Sequence, residues 1–316
     1  MEQVIHREGC RNLLQGRGDY LLDKEGSMGE PERVVRHVSD TALWAAIHRA
    51  KESERADAQF RDPFARRLGG ERGEQIASAI AISEADSWSW MARTYLFDRF
   101  LDEQVRQGTD LVVNLGAGLD TRPYRTEWPE SLLWIEVDLP EIFDYKEGIL
   151  AGEKPTCRLE RVRLDLADDA SRGAFLQSLP GRGRNALVLT EGVMAYLTAE
   201  AAGILADALA AVPAVHHWIL DIASPGLLHM MQERARGQFS ETATALQFAP
   251  ENGPEFFQGH GWRIADVQSL LKTAARLKRL PEALQPLAGL PEDPARMGQQ
   301  PWSGVCLLER NGFAFT

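Results

Sequence analysis

Val112-Val113-Asn114-Leu115-Gly116-Ala117-Gly118-Leu119-Asp120-Thr121-Arg122 is an apolar run that ends on two glycines one residue apart. Such a run, followed by Gly-x-Gly, predicts a buried strand that turns tightly into the next element. In a sheet of parallel strands, ligands bind beyond the carboxyl ends, so Gly116 and Gly118 mark a candidate ligand turn. Lacking Cβ atoms, they let a ligand approach the main chain and leave helix N-terminal N–H groups free for an anionic group. Taken alone, the pair fits a plain tight turn equally well.

Outward from that turn, short apolar runs alternate with helical patterns. The strands expected are Leu111–Leu115, Leu132–Val137, Leu159–Leu164, Ala186–Thr190 and His216–Asp221, each followed by a crossover helix. Right-handed crossovers make this an α/β fold, a doubly wound and mostly parallel sheet of Rossmann-like outline. Further on come a weaker strand at Trp262–Ala265, a helix at Val267–Leu277, a linker with five prolines between Pro281 and Pro301, and a last strand at Val305–Glu309.

Before residue 110 the pattern is helical. Leu43, Ala46, Ile47 and Ala50 recur at helical spacing, and Asp62-Pro63 reads as an N-cap and first helical residue. From Ser87 to Gln107 a broad apolar face includes Met91, Phe97, Phe100 and Leu101, and Gly108 stops the helix. Residues 1 to about 35 are polar and glycine-punctuated and read as an arm or lid. The expected organisation is therefore residues 1–109 as arm and helical lid, and 110–316 as the ligand-binding catalytic domain, in one structural unit. An insertion at about 222–261 is longer than a crossover needs. With the arm, its Met230, Met231, Phe239, Leu246, Phe248, Phe256 and Phe257 are expected to wall a pocket for a small acceptor, the alternative being ordinary packing of extra helices or a dimer contact.

Twenty residues after Gly118, the second strand ends in Glu136-Val137-Asp138. That spacing places a carboxylate beside the glycine turn, where it can accept both hydroxyl protons of a ribose diol. Nicotinamide-dependent oxidoreductases share this feature, but where they carry a third glycine beneath the pyrophosphate, this chain has Thr121. A nucleoside without a pyrophosphate fits better, and S-adenosylmethionine is one. Asp165-Leu166 and Glu191-Gly192 close the third and fourth strands. The first suits an adenine amino group and its apolar face, the second the space beside the amino acid portion. Singly, Asp165 reads as a helix cap and Glu191 as a solvated loop charge; acids at three strand ends in one crevice argue for a ligand site.

Composition excludes other classes. The 316 residues carry 46 acidic and 35 basic side chains, a net charge of -11, which opposes nucleic-acid binding outside a local patch. Cys10, Cys157 and Cys306 are far apart and odd in number, so neither a disulfide framework nor a metal site is expected. The polar N-terminus lacks a signal peptide's apolar stretch, and no apolar run reaches membrane-span length. A cytoplasmic protein is expected. Gly-x-Ser-x-Gly and Gly-x-x-x-x-Gly-Lys are both absent, against hydrolase and phosphoryl-transfer readings.

Asp40-Thr41-Ala42, Arg61-Asp62-Pro63-Phe64-Ala65, Ala92-Arg93-Thr94, the run Asn114 to Arg122, Glu136-Val137-Asp138-Leu139-Pro140 and Thr190-Glu191-Gly192-Val193-Met194-Ala195-Tyr196-Leu197 follow in order. With Gly261-Trp262-Arg263 they resemble the leucine carboxyl methyltransferase family, over residues 40 to about 265. The resemblance implies a class I S-adenosylmethionine-dependent methyltransferase whose bacterial relatives methylate oxygens of small metabolites such as polyketide carboxylates. It implies that Arg93 pairs with the carboxylate of the cofactor's methionine portion and that the Gly116 backbone lies against that portion. Asp138 would hold the ribose, Asp165 and Leu166 the adenine, and Glu191 would line the pocket. Tyr196 matches a tyrosine near the transferred methyl and is the catalytic candidate. Outside the family, Arg93 reads equally as a surface ion pair and Tyr196 as a core aromatic. Eukaryotic members recognise a protein C-terminus, but their substrate-contacting residues find no match here.

A methyl on a sulfonium already has an excellent leaving group, so in-line placement of an oxygen nucleophile, worth roughly 7 to 11 kcal/mol, is the main task. A carboxylate, with pKa near 4, needs no base, whereas a phenol near 10 does. His216 and His217 stand at the start of the fifth predicted strand, the wrong end for chemistry. Asp221, at its other end, is a weak base candidate.

Overall fold

A computed structural model describes residues 38–79, 87–235 and 246–312. The expected arm and Phe239 lie outside these residues. Helices α1 (Val38–Ser53), α2 (Ala65–Ala79) and α3 (Trp88–Arg106) precede the sheet. Then follow β1 (Leu111–Leu115), α4 (Arg122–Arg125), β2 (Leu133–Asp138), α5 (Pro140–Ile149), β3 (Arg158–Arg163), α6 (Asp169–Gln177), β4 (Ala186–Thr190), α7 (Ala199–Ala210) and β5 (Val215–Ala223). The chain continues through α8 (Pro225–Ala235), β6 (Trp262–Ser269), α9 (Leu270–Arg276), α10 (Gln285–Ala288) and β7 (Ser303–Arg310). The seven strands lie in the order β3-β2-β1-β4-β5-β7-β6. The first five are parallel, and β7 runs antiparallel between β5 and β6. Chain order reverses between β1 and β4, which opens a crevice at their carboxyl ends.

The period of two along β1 explains the layers. Leu111, Val113 and Leu115 point into a core shared with Phe175 of α6 and Ala202 and Leu205 of α7. Val112 points the other way, into a core with Met91, Phe97 and Leu101 of α3 and Leu270 of α9. Every residue of β1 and β4 is buried, so these strands read as unbroken apolar runs.

Several boundaries and one placement differ from the sequence reading. The sixth strand runs to Ser269 and its helix begins at Leu270, not Val267, because pairing with β7 continues to Ser269 opposite Gly304. Ser269 then caps α9 by accepting from the Lys272 N–H. After Asp62-Pro63 the helix begins at Ala65; Asp62 accepts the Phe64 N–H at 3.1 Å, and its other oxygen takes the Thr121 hydroxyl at 2.7 Å. Phe248 and Phe257, expected to wall a pocket, are buried in the sheet core instead, with Phe257 5.1 Å from the Trp218 ring. Among the described residues, no helix is long and apolar enough to cross a membrane.

Behind the ligand edge of β2, Glu136 is wholly buried and bridges Lys146 of α5 at 2.7 Å and Arg161 of β3 at 2.9 Å. A buried carboxylate tolerates its desolvation only with such partners. Lys146→Met removes one of them, and the expected loss is about 3 kcal/mol, the low end for breaking a buried pair because Arg161 remains. Urea unfolding measures it, and adding Glu136→Leu should restore most of the loss.

Candidate active site at the strand ends

The turn after β1 needs glycine twice. Gly116 has φ +69° and Gly118 φ +48°, a region that side chains with a Cβ rarely adopt. A Cβ on Gly116 would stand 2.6 Å from Val193 Cγ2. The Gly116 and Ala117 N–H groups both donate to Val137 O, at 2.9 and 3.2 Å. The Gly118 N–H donates to Asp138 Oδ2 at 2.6 Å, and Leu139 N–H to Oδ1 at 2.7 Å. Asp138 is thereby fixed at the turn, with lone pairs remaining for a further donor. Burial raises its pKa, outweighing those two N–H bonds.

The turn is tied to the rest of the crevice by a chain of ion pairs. Arg122, 2% exposed, reaches Asp98 of α3 at 2.6 Å, Asp120 at 3.0 Å and Glu191 at 2.9 Å. Asn114 adds a bond to Asp120 at 2.8 Å. Glu191 turns its other oxygen to Arg93 Nε at 3.2 Å, and Arg93 Nη1 reaches Asp221 at 3.4 Å. The guanidinium lies over the Trp90 ring at 4.7 Å and against Gly192, whose Cβ would come 3.4 Å from Nη1. Burial opposes the charge on Arg93, but Asp221 and Glu191 more than offset it, and its pKa is raised.

Asp221 is thus no free base: it holds Arg93 and accepts the Gly192 N–H at 2.7 Å. Tyr196, in a 3-10 turn after β4, hydrogen-bonds Thr41 of α1, and burial raises its pKa despite that bond and nearby Arg93. Asp165 accepts the Ala167 N–H at 2.9 Å, while the cap of α6 is Asp168, so the helix-cap reading of Asp165 fails. Leu166 packs partly buried against the core below. His216 and His217 open β5, at the opposite end from Asp221. The structure therefore brings Arg93, Gly116, Gly118, Asp138, Glu191 and Tyr196 to one edge, with Asp165 and Leu166 just past β3. The sequence reading missed Arg122, Asp120, Asp98 and Thr41. Arg122 and Asp120 lay inside the quoted turn, where a charged pair beside a buried strand was a signal.

Comparison with known proteins identifies this arrangement. Residues 42–210, more than half of the chain, match the leucine carboxyl methyltransferase family. A Frankia alni protein named as a candidate S-adenosyl-L-methionine-dependent methyltransferase is 33% identical over 265 residues, covering 78% of this chain and 90% of that one. A Mycobacteroides abscessus protein, likewise named as a candidate, is 30% identical over 287 residues, covering 83% and 93%. Among solved structures, a DUF574 family protein of Streptomyces avermitilis superposes with a TM-score of 0.54 at 16% identity, over 82% of this chain and 98% of that one. A candidate methyltransferase of Thermobifida fusca gives 0.50 at 17%, over 78% and 92%. The chain belongs to the leucine carboxyl methyltransferase family. It is an S-adenosylmethionine-dependent methyltransferase, which sets the nicotinamide alternative aside.

Burial raises the pKa of Asp120, yet Arg122 first, then Lys146 and Arg125, outweigh it and bring the value from 3.8 to about 2. A depressed carboxylate pKa contributes stability that is present above its unfolded value and lost as pH falls through the folded one. Asp120→Asn should therefore cost about 2 kcal/mol at pH 7, and the difference from wild type should shrink as pH falls from about 4 toward 2. Urea unfolding of both proteins across that range checks the sign.

Proposed function

We propose that the chain transfers a methyl group from S-adenosylmethionine to an oxygen of a small acceptor, a carboxylate before a hydroxyl, in the making of a natural product. The observation that carries the oxygen assignment is the state of the acids and phenol around Arg93. Glu191 and Asp221 are engaged with Arg93, and the Tyr196 hydroxyl is bound to Thr41 with a raised pKa. None stands free to take a proton, which favours a nucleophile that has none to give.

The residues present fit the cofactor. A Cβ would fill the cradle at Gly116, and the fixed carboxylate of Asp138 suits a diol. In this reading Arg93 turns Nη2 to the cofactor's carboxylate, since Nε and Nη1 face Glu191 and Asp221. Gly116 and Gly118 let the main chain approach the ligand, Asp138 takes both ribose hydroxyls, and Asp165 with Leu166 flanks the adenine. Glu191 lines the pocket and keeps Arg93 aimed. Tyr196, held by Thr41, fixes the wall beside the methyl. When bound, S-adenosylmethionine supplies a methyl on a sulfonium that leaves as a neutral thioether. The protein's contribution is placement and exclusion of water.

Calorimetry should show binding of S-adenosylhomocysteine and none of NAD at comparable concentration. Asp138→Ala should weaken the former roughly ten-fold or more, as loss of charged hydrogen bonds worth about 1.5 to 3 kcal/mol requires; unchanged affinity would remove Asp138 from the site. The oxygen assignment is tested by incubating methyl-labelled cofactor with cell extract. An ester product releases its label as methanol in mild alkali, and a product that keeps its label would replace the carboxylate reading.

A further inference from the structure

Two features of the sequence have no part in the proposed transfer: the run Arg61-Asp62-Pro63-Phe64-Ala65, and Thr121, which stands where a dinucleotide site would carry its third glycine. The structure joins them. Asp62 is 2% exposed and Thr121 wholly buried, and the Thr121 hydroxyl donates to Asp62 Oδ2 at 2.7 Å. The same oxygen takes Arg49 Nε of α1 at 2.9 Å, and Arg49 Nη2 goes on to the Leu119 carbonyl at 2.6 Å. Asp62 is itself fixed. Its Oδ1 accepts the Phe64 N–H at 3.1 Å, and its own N–H donates to Ser53 Oγ at 2.8 Å, while the Ser53 hydroxyl donates to the Arg49 carbonyl at 2.7 Å.

This grip falls on the ligand turn. Leu119 and Thr121 follow closely on Gly118, whose φ is +48° and whose N–H fixes Asp138 at 2.6 Å. Glycine explores φ of either sign, so such a turn is loose, and ordering it costs entropy on binding, unless its neighbours hold it. Helix α1 does so along one face, where Ala42, Ala46 and Arg49 recur at helical spacing. A Cβ on Gly118 would lie 3.6 Å from the Ala42 Cβ, Ala46 shares a core with the Leu119 side chain, and Arg49 takes the Leu119 carbonyl. The other end of that peptide is closed as well, since the Asp120 N–H donates to Ala117 O at 3.0 Å. Phe64 extends the hold to α4, edge-on to Tyr124 at 5.9 Å.

We infer, on the reading that Asp138 holds the cofactor's ribose, that Asp62 and Thr121 are positioning residues of the cofactor site. With Arg49 they lock the residues after Gly118, so that the Gly118 N–H and the Asp138 carboxylate stand in place before the ligand arrives. The Asp62 side chain and Thr121 are sealed from solvent and act only through the turn. Where a third glycine would let a pyrophosphate approach, Thr121 anchors the main chain instead.

The test uses the full chain and calorimetry with S-adenosylhomocysteine, well below the melting temperature. Thr121→Val keeps the shape of the side chain and removes the hydroxyl; Thr121→Ser keeps the hydroxyl. Ser269→Ala removes the cap of α9 at the far edge of the sheet and serves as a control of comparable stability loss. Thr121→Val should bind S-adenosylhomocysteine about ten-fold more weakly, equivalent to about 1.4 kcal/mol, with Thr121→Ser within about two-fold of wild type and Ser269→Ala unchanged. Asp62→Ala should lose at least as much, and adding Thr121→Val to it should change nothing further, because the two act through one bond. Hydrogen exchange over residues 116–122, followed by mass spectrometry, should quicken in Thr121→Val and not in Ser269→Ala. Wild-type affinity in Thr121→Val, a Thr121→Ser as weak as Thr121→Val, an equal loss in Ser269→Ala, or unaltered exchange over 116–122 would overturn the inference while the cofactor site stood. Failure of wild type to bind S-adenosylhomocysteine, or undiminished binding by Asp138→Ala, would instead overturn the reading on which it rests. If Asp62→Ala does not fold, the two Thr121 variants decide.

Discussion

Arg122 holds the functional edge together. A guanidinium that is 2% exposed cannot be left without counter-charge, since an unpaired buried cation costs several kcal/mol. Its three acidic partners come from different places: Asp98 from α3, Asp120 from its own turn and Glu191 from the loop after β4. Meeting the electrostatic demand of one side chain therefore fixes the glycine turn against a helix and a neighbouring strand end. Arg125 reinforces the helix contact by sharing Asp98 at 2.7 Å. A second tie, Arg49 to Asp62 at 2.9 Å and Asp62 to Thr121, binds α1 to the same turn.

In the proposed function, the network also lets an acidic protein present an arginine to an anionic ligand group. Glu191 is shared between Arg122 and Arg93, so neither cation neutralises it alone and it cannot draw fully toward either. Asp221 balances Arg93 from the other side. The Arg93 group is charged, part-buried and oriented before any ligand arrives, and such preorganisation removes much of the ordering cost of binding.

What the sequence made legible, it did through short-range regularities. The parallel strands announced themselves as apolar runs because both faces are covered, and the pairing of Gly118 with Asp138 was readable as a spacing of twenty residues. The features missed are those whose partners lie far along the chain. Arg122 meets Asp98, 24 residues before it, and nothing in local spacing marks that pair. The extension of β6 to Ser269 depends on β7, more than thirty residues later, so a helix was read where pairing keeps the strand. Phe248 and Phe257 were assigned to a pocket wall because apolar residues in an insertion can serve either purpose; only packing against Trp218 and Trp262 decides for the core.

The division of the chain at residue 110 also takes on a different meaning. The sheet alone supplies the glycine turn and the strand-end acids, but Arg93 and Trp90 come from α3, and Thr41 from α1. Helix α3 is joined to the sheet by buried contacts as much as by charge: Phe97, Phe100 and Leu101 are almost wholly inside, packed with Val112 and Leu187. A helical section that merely covered the sheet would need only its apolar face. This one also carries a guanidinium, held by Glu191 and Asp221, to the edge where the strands end.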